Sequence, residues 1–137
     1  MQRRYQTAFF LLLLTAPVWL LSAEPYYYSS DQKIVLEPLL KTREAAPPAQ
    51  DGIRWYRTPN GAKIGVKPEV IIGCDDFTRC KPLLEGYPIR KIEKLSDTLW
   101  LLTLEEGSDP FEIANTLYQA PEVKLAHPNF IRPRRQR

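Results

Sequence analysis

Hydrophobic and polar positions change period several times along this chain, and each change marks an element. Ile53-Arg54-Trp55-Tyr56-Arg57 alternates as a strand does, Asn60-Gly61 is a tight-turn signal, and Lys63-Ile64-Gly65-Val66 can pair back as a hairpin. Glu69-Val70-Ile71-Ile72-Gly73-Cys74 reads as a further, buried strand. Asp75 and Asp76 then offer carboxylates to the free amides of a helix or turn over residues 77–85, which Pro82 bends and Gly86 ends. Ile89 to Leu95 alternates apolar with charged residues, and Ser96-Asp97 makes a turn. Thr98-Leu99-Trp100-Leu101-Leu102-Thr103-Leu104 is apolar at odd and even positions alike, the pattern of a central strand covered on both faces.

The second helix carries the strongest local signals. Asp109 suits the N-cap, Pro110 the first helical position, and Glu112 the place a capping box assigns. Ile113, Ala114, Leu117 and Ala120 recur at helical spacing, Pro121 stops the run, and Val123-Lys124-Leu125-Ala126 forms the last strand. The order after the hairpin is strand, helix, strand, strand, helix, strand. With right-handed crossovers, that order predicts an α+β fold, a ferredoxin-like split βαβ sandwich (βαββαβ) preceded by a short β-hairpin. Such a fold hosts many activities and names none.

The front of the chain has another character. Arg3 and Arg4, an apolar run from Ala8 to Leu21 interrupted by Pro17, and Leu21-Ser22-Ala23 before a cut read as a signal peptide over residues 1–23. The apolar run is short of the roughly 20 residues a spanning helix needs. The expected location is secreted or periplasmic, with no membrane attachment after cleavage. Residues 24–52 carry Tyr26-Tyr27-Tyr28 and four prolines with little apolar period, and are expected to form a flexible linker or loosely docked arm. Residues 53–131 make the ordered domain and residues 132–137 a basic C-terminal tail.

Export changes how the cysteines are read. Cys74 and Cys80 are the only two, and in an oxidising compartment their expected state is a disulfide. Two thiols and one distant histidine do not make a four-ligand metal site, so no metal and no cofactor is expected. Charge sets the tail apart: residues 24–131 hold 13 basic and 16 acidic residues, net −3, and the four arginines after Ile131 bring residues 24–137 to +1. A nucleic-acid module on this fold would carry stacking aromatics on two central strands and a basic tail or surface; here the central strand offers Trp100 among leucines, and the domain without its tail is acidic and expected to be exported. A phosphate-cradling loop of the acylphosphatase kind is absent.

The segment Asn-Thr-Leu-Tyr-Gln-Ala-Pro-Glu-Val-Lys-Leu-Ala-His-Pro-Asn-Phe, residues 115–130, resembles the end of the N-terminal prodomain of subtilisin-like serine proteases, the fervidolysin-like prodomains above all. Glu69-Val-Ile-Ile-Gly73 and the passage from Thr98 to Leu117 extend the likeness, which spans about residues 53–131. The resemblance implies a sheet that packs on a protease and a C-terminal tail that lies extended in its substrate groove. On it, Ala126 to Asn129 are the exit from the sheet, with His127 and Asn129 part of the protease-binding tail. Phe130 is an aromatic anchor, and Ile131, Arg132, Pro133, Arg134 and Arg135 are the groove-binding residues.

The Asp-Thr-Gly, His-Gly-Thr and Gly-Thr-Ser-Met motifs of the proteases themselves do not occur in these 137 residues. The chain is therefore expected to be no enzyme and to have no catalytic residue. It would be a stand-alone inhibitor or folding chaperone of a subtilisin-like protease, monomeric when free. The alternatives are a generic periplasmic protein-interaction module and the detached remnant of a truncated protease gene.

Overall fold

A computed structural model describes residues 24–39 and 52–133. The expected signal peptide, the middle of the expected linker (40–51) and the residues from Arg134 onward lie outside the described residues. The fold is α+β, a mostly antiparallel sheet with two helices.

The sheet is organised by one long strand. The sequence predicts two strands over residues 63–74, but they form a single strand β5, Lys63–Cys74. Its pairing with the last strand shifts register between Val66 and Val70. Pro68, which has no N–H to give a ladder, lies within that shift, so the chain stays extended while the pairing breaks. The first part of β5 pairs with β4 (Arg54–Arg57), from Arg54↔Val66 to Arg57↔Lys63. Its second part pairs with β7 (Leu99–Leu104), from Glu69↔Thr103 to Gly73↔Leu99. β8, Val123–Ile131, lies along β5 from Cys74 to Gly65, and β6, Ile89–Lys94, pairs with β7. The strand order is thus β8-β5-β7-β6, every pair antiparallel.

Both helices lie against one face. α1, Phe77–Cys80, is a single turn continued by a 3-10 turn, Lys81–Leu84, whose second residue is Pro82. Asp76 caps α1, accepting from the Thr78 amide at 3.0 Å and the Thr78 hydroxyl at 2.6 Å. α2, Pro110–Tyr118, begins as its sequence foretells, with Asp109 accepting from the Phe111 amide at 2.9 Å. Ile113, Ala114 and Leu117 of α2 and Leu84 pack on Val70, Ile72, Trp100, Leu102, Leu104 and Ala126 of the sheet. Phe77 stacks on Trp100 with ring centroids 4.4 Å apart. Cys74 and Cys80 are joined by a disulfide inside this core, pinning α1 to the end of β5.

The expectation of a loose arm from residue 24 is overturned for residues 24–39. Tyr26–Ser29 (β1) and Gln32–Val35 (β2) form an antiparallel hairpin, and Glu37–Pro38 (β3) pairs with β4. Ser30 and Asp31 turn the hairpin with φ of 48° and 62°, the two-residue loop with positive φ at both positions that matches strand twist. The hairpin closes a second apolar cluster of Leu36, Tyr56, Ile64, Val66 and Phe111, with Tyr27, Ile34 and Phe130 against it. Leu36 and Leu39 are 1% and 2% exposed, so this segment is part of the core.

Candidate functional site

The alternation of β7 puts Trp100, Leu102 and Leu104 under the helices and turns Leu99, Leu101 and Thr103 to the opposite face. The register extends that second face across the sheet in rows. Leu99 is level with Gly73 and Leu125. Glu93, Leu101, Ile71 and His127 stand in one line, and Lys91, Thr103 and Glu69 in the next. Trp55, Gly65 and Ile131 form a further line where β4 replaces β7. Leu99, Leu101, Ile71, Leu125, Ile131 and Trp55 are all half-buried, and no described helix packs over them. The sequence pattern, apolar on both sides of β7, predicts cover on both faces; among the described residues, helices cover only one.

Two glycines keep this face flat. A Cβ on Gly73 would stand 2.9 Å from the Leu125 Cβ, and one on Gly65 would stand 2.8 Å from Ile131 and 2.9 Å from Ile53. The neighbouring side chains therefore fold across the glycine backbone, which they could do over no other residue. At the polar end, Asn129 donates from Nδ2 to a Glu69 carboxylate oxygen at 3.2 Å. The Nε1 of Trp55 is buried with no hydrogen-bond partner. The result is a half-buried apolar strip with Glu69, Asn129, Lys91 and Glu93 around it.

The residues assigned to an extended tail divide into two groups. His127, Asn129, Phe130 and Ile131 belong to β8, which runs to Ile131 opposite Gly65 and does not exit at Ala126–Asn129. Pro128 does not end the strand because, among the described residues, β8 pairs with β5 alone, so its missing N–H costs no second ladder, and its ring is fully buried. Phe130 is not a free anchor. Its ring lies 4.6 Å from that of Tyr27 and 5.6 Å from the parallel ring of His127, against the second apolar cluster. His127 Nδ1 lies 2.8 Å from the Pro128 carbonyl oxygen, an acceptor, so that nitrogen carries the proton.

Arg132 and Pro133 are exposed and come directly after β8; Arg134 and Arg135 lie outside the described residues. The exit has walls. Arg132 and Pro133 border a groove whose other sides are Tyr27 and Ile34 of the hairpin and the turn from Thr58 to Ala62. That turn is fastened on itself, with the Thr58 amide donating to the Ala62 carbonyl at 2.8 Å and the Ala62 amide to the Thr58 hydroxyl at 3.1 Å. Burial pushes the Tyr27 hydroxyl above its ordinary value of 10.0.

Cys74 and Cys80 are buried and bonded to each other, a structural pair with no reactive thiol. Among the described residues no cluster of three or more His, Cys, Asp or Glu could hold a metal, and no helix is long and apolar enough to cross a membrane. The helix-free face escaped sequence reasoning because an odd-even pattern tells which residues share a face but not whether a helix covers it. Gly65 and Gly73 were its one available signal. No family model matches the chain, and no curated protein or solved structure matches it.

Proposed function

We propose that this protein is an exported, non-catalytic partner of a subtilisin-like serine protease, a prodomain-like inhibitor or folding chaperone that docks through the helix-free face of its sheet. The observation that carries this reading is that face: Leu99, Leu101, Ile71 and Leu125 stand half-buried in register on three adjacent strands, with polar groups at the border. The strand order β8-β5-β7-β6, with a helix leading out of β5 and another into β8, supports the ferredoxin-like split βαβ arrangement expected from the order of elements in the sequence. The disulfide suits an oxidising compartment.

The tail has a narrower part in this reading than the sequence alone suggests. Phe130 and Ile131 are held inside the domain, so a groove-binding segment begins at Arg132 and includes Pro133, Arg134 and Arg135. Pro133 keeps that segment extended and limits the entropy lost on binding. A basic segment leaving an acidic domain also steers its approach to a partner of opposite charge.

Inhibition assays against subtilisin-like proteases test the reading. The protein should inhibit competitively, and a variant ending at Ile131 should keep its fold but lose about thirty- to a thousand-fold in inhibition constant, as removal of a hot spot does. Failure to inhibit or assist the folding of any such protease would remove the reading. A second reading, a general periplasmic interaction module, is favoured by the burial of Phe130 within the domain; on it, binding resides in the face and the tail is dispensable.

A further inference from the structure

The hairpin of β1 and β2 has no place in the βαββαβ frame, yet it sits where the chain leaves the sheet. Tyr27 points inward from β1, and its ring meets Phe130, the last inward-facing ring of β8. Phe130 in turn lies parallel to His127. The three rings thus link the hairpin to both ends of the segment 127–130. Beyond them Arg132 and Pro133 form one side of a groove whose other sides are the hairpin and the Thr58–Ala62 turn. The hairpin is itself tied to the helix layer: Asn115 Nδ2 donates to the Tyr26 carbonyl at 2.8 Å, Tyr28 stacks on Tyr118 at 4.9 Å, and the Tyr118 hydroxyl donates to the Asp31 carboxylate.

We propose that the N-terminal hairpin positions the end of β8: Tyr27, through its contact with Phe130, holds Arg132 and Pro133 in place as one side of the groove they share with the hairpin and the Thr58–Ala62 turn, and so orders the two residues that follow the strand. Tyr27 is then a positioning residue. An unguided chain of several residues samples many directions, and a partner that must capture it bears the entropy of choosing one. A directed exit removes part of that cost before binding, as preorganisation does elsewhere. The consequence for inhibition rests on the tail being the inhibitory element; the positioning itself does not.

Backbone nitrogen relaxation at Arg132 tests the positioning in the protein without any partner. In the parent protein the Arg132 amide should have an order parameter near that of rigid backbone, about 0.85. In Tyr27→Ala it should fall below about 0.6, while amides of β5 and β7 stay rigid. Tyr27→Phe, which keeps the ring, should behave as the parent. Should Tyr27→Ala fail to fold, Tyr27→Leu carries the same expectation, because it fills the cluster without a flat ring to meet Phe130. An Arg132 amide already mobile in the parent, or one equally rigid in the alanine or leucine variant, overturns the proposal. Inhibition gives the separate arm: Tyr27→Ala should weaken the full-length protein about tenfold and leave unchanged a variant ending at Ile131. Loss of order at Arg132 in a protein that inhibits no protease would leave the positioning standing and remove the inhibitor reading.

Discussion

The side chain of Asn115, in the middle of α2, donates its amide to the backbone carbonyl of Tyr26 at 2.8 Å, joining residues 89 positions apart in the chain. Asn115 is 9% exposed, and its Oδ1 is buried without a partner. With the Tyr118 hydroxyl donating to the Asp31 carboxylate, it fastens the N-terminal hairpin to the helix layer and makes the hairpin a tertiary element.

Asn115→Ala should therefore destabilise the fold by about 1–3 kcal/mol, since the Tyr26 carbonyl loses its donor on the buried side of the hairpin. Urea denaturation measures it. A change below a few tenths of a kcal/mol would mean that the hairpin is held by its apolar contacts alone.

Leu101 and Leu102 are neighbours on β7 that face opposite ways. Leu102 is 0% exposed beneath the helices, so Leu102→Asp should unfold the domain, a buried charge costing several kcal/mol against a total of about 5–15. Leu101→Asp should leave the fold standing with a lower melting temperature and abolish partner binding, since the charge falls on the open face. Lys124→Asp, at an exposed position of β8, should change neither. Equal melting temperatures for the Leu101 and Leu102 variants would refute the assignment of faces.

The Cys74–Cys80 disulfide closes a loop of six residues at the base of α1. Replacing both cysteines by alanine should cost about 2 kcal/mol by the chain-entropy argument, with a further loss from the two buried sulfurs. Intact-mass measurement after alkylation of native material should find no free thiol; two alkylated cysteines would contradict the pairing.

Hydrogen bonds from the Thr78 hydroxyl and then the Thr78 amide hold the Asp76 carboxyl below its ordinary value of 3.8. A group with a lowered folded-state value contributes stability that is present above 3.8 and is lost as pH falls through the lowered value. Acid titration of the melting temperature should show this loss in the parent and a shallower one in Asp76→Ala. Superimposable acid limbs would show that the cap does not contribute.

Much of the frame was legible in the sequence because its signals are local. Asp109-Pro110 sets the start of α2, Ile113, Ala114 and Leu117 its face, and Pro121 keeps it from continuing, while Asp76 before Pro82 sets a helix one turn long with a tighter continuation. The cysteine pair was legible from its spacing and context. The N-terminal hairpin was not. Its turn is Ser30-Asp31, without the glycine or asparagine that usually marks a loop of two positive φ values. Its strands are short, and they are held by Asn115, Tyr118 and Phe130, residues far away in the chain. The end of β8 was hidden for a related reason: Pro128 stops a strand that needs both edges, and only the sheet order reveals that β8 needs one.

The sequence by itself determined which residues share a face, because side-chain alternation is a property of each strand alone. Only the tertiary structure decided which face is covered. Among the described residues, the two short helices and the hairpin all lie on one side of the sheet. The apolar row through Ile71 and Leu101 therefore has no described helix over it, and Arg132 and Pro133 follow β8 beside the hairpin that meets Phe130.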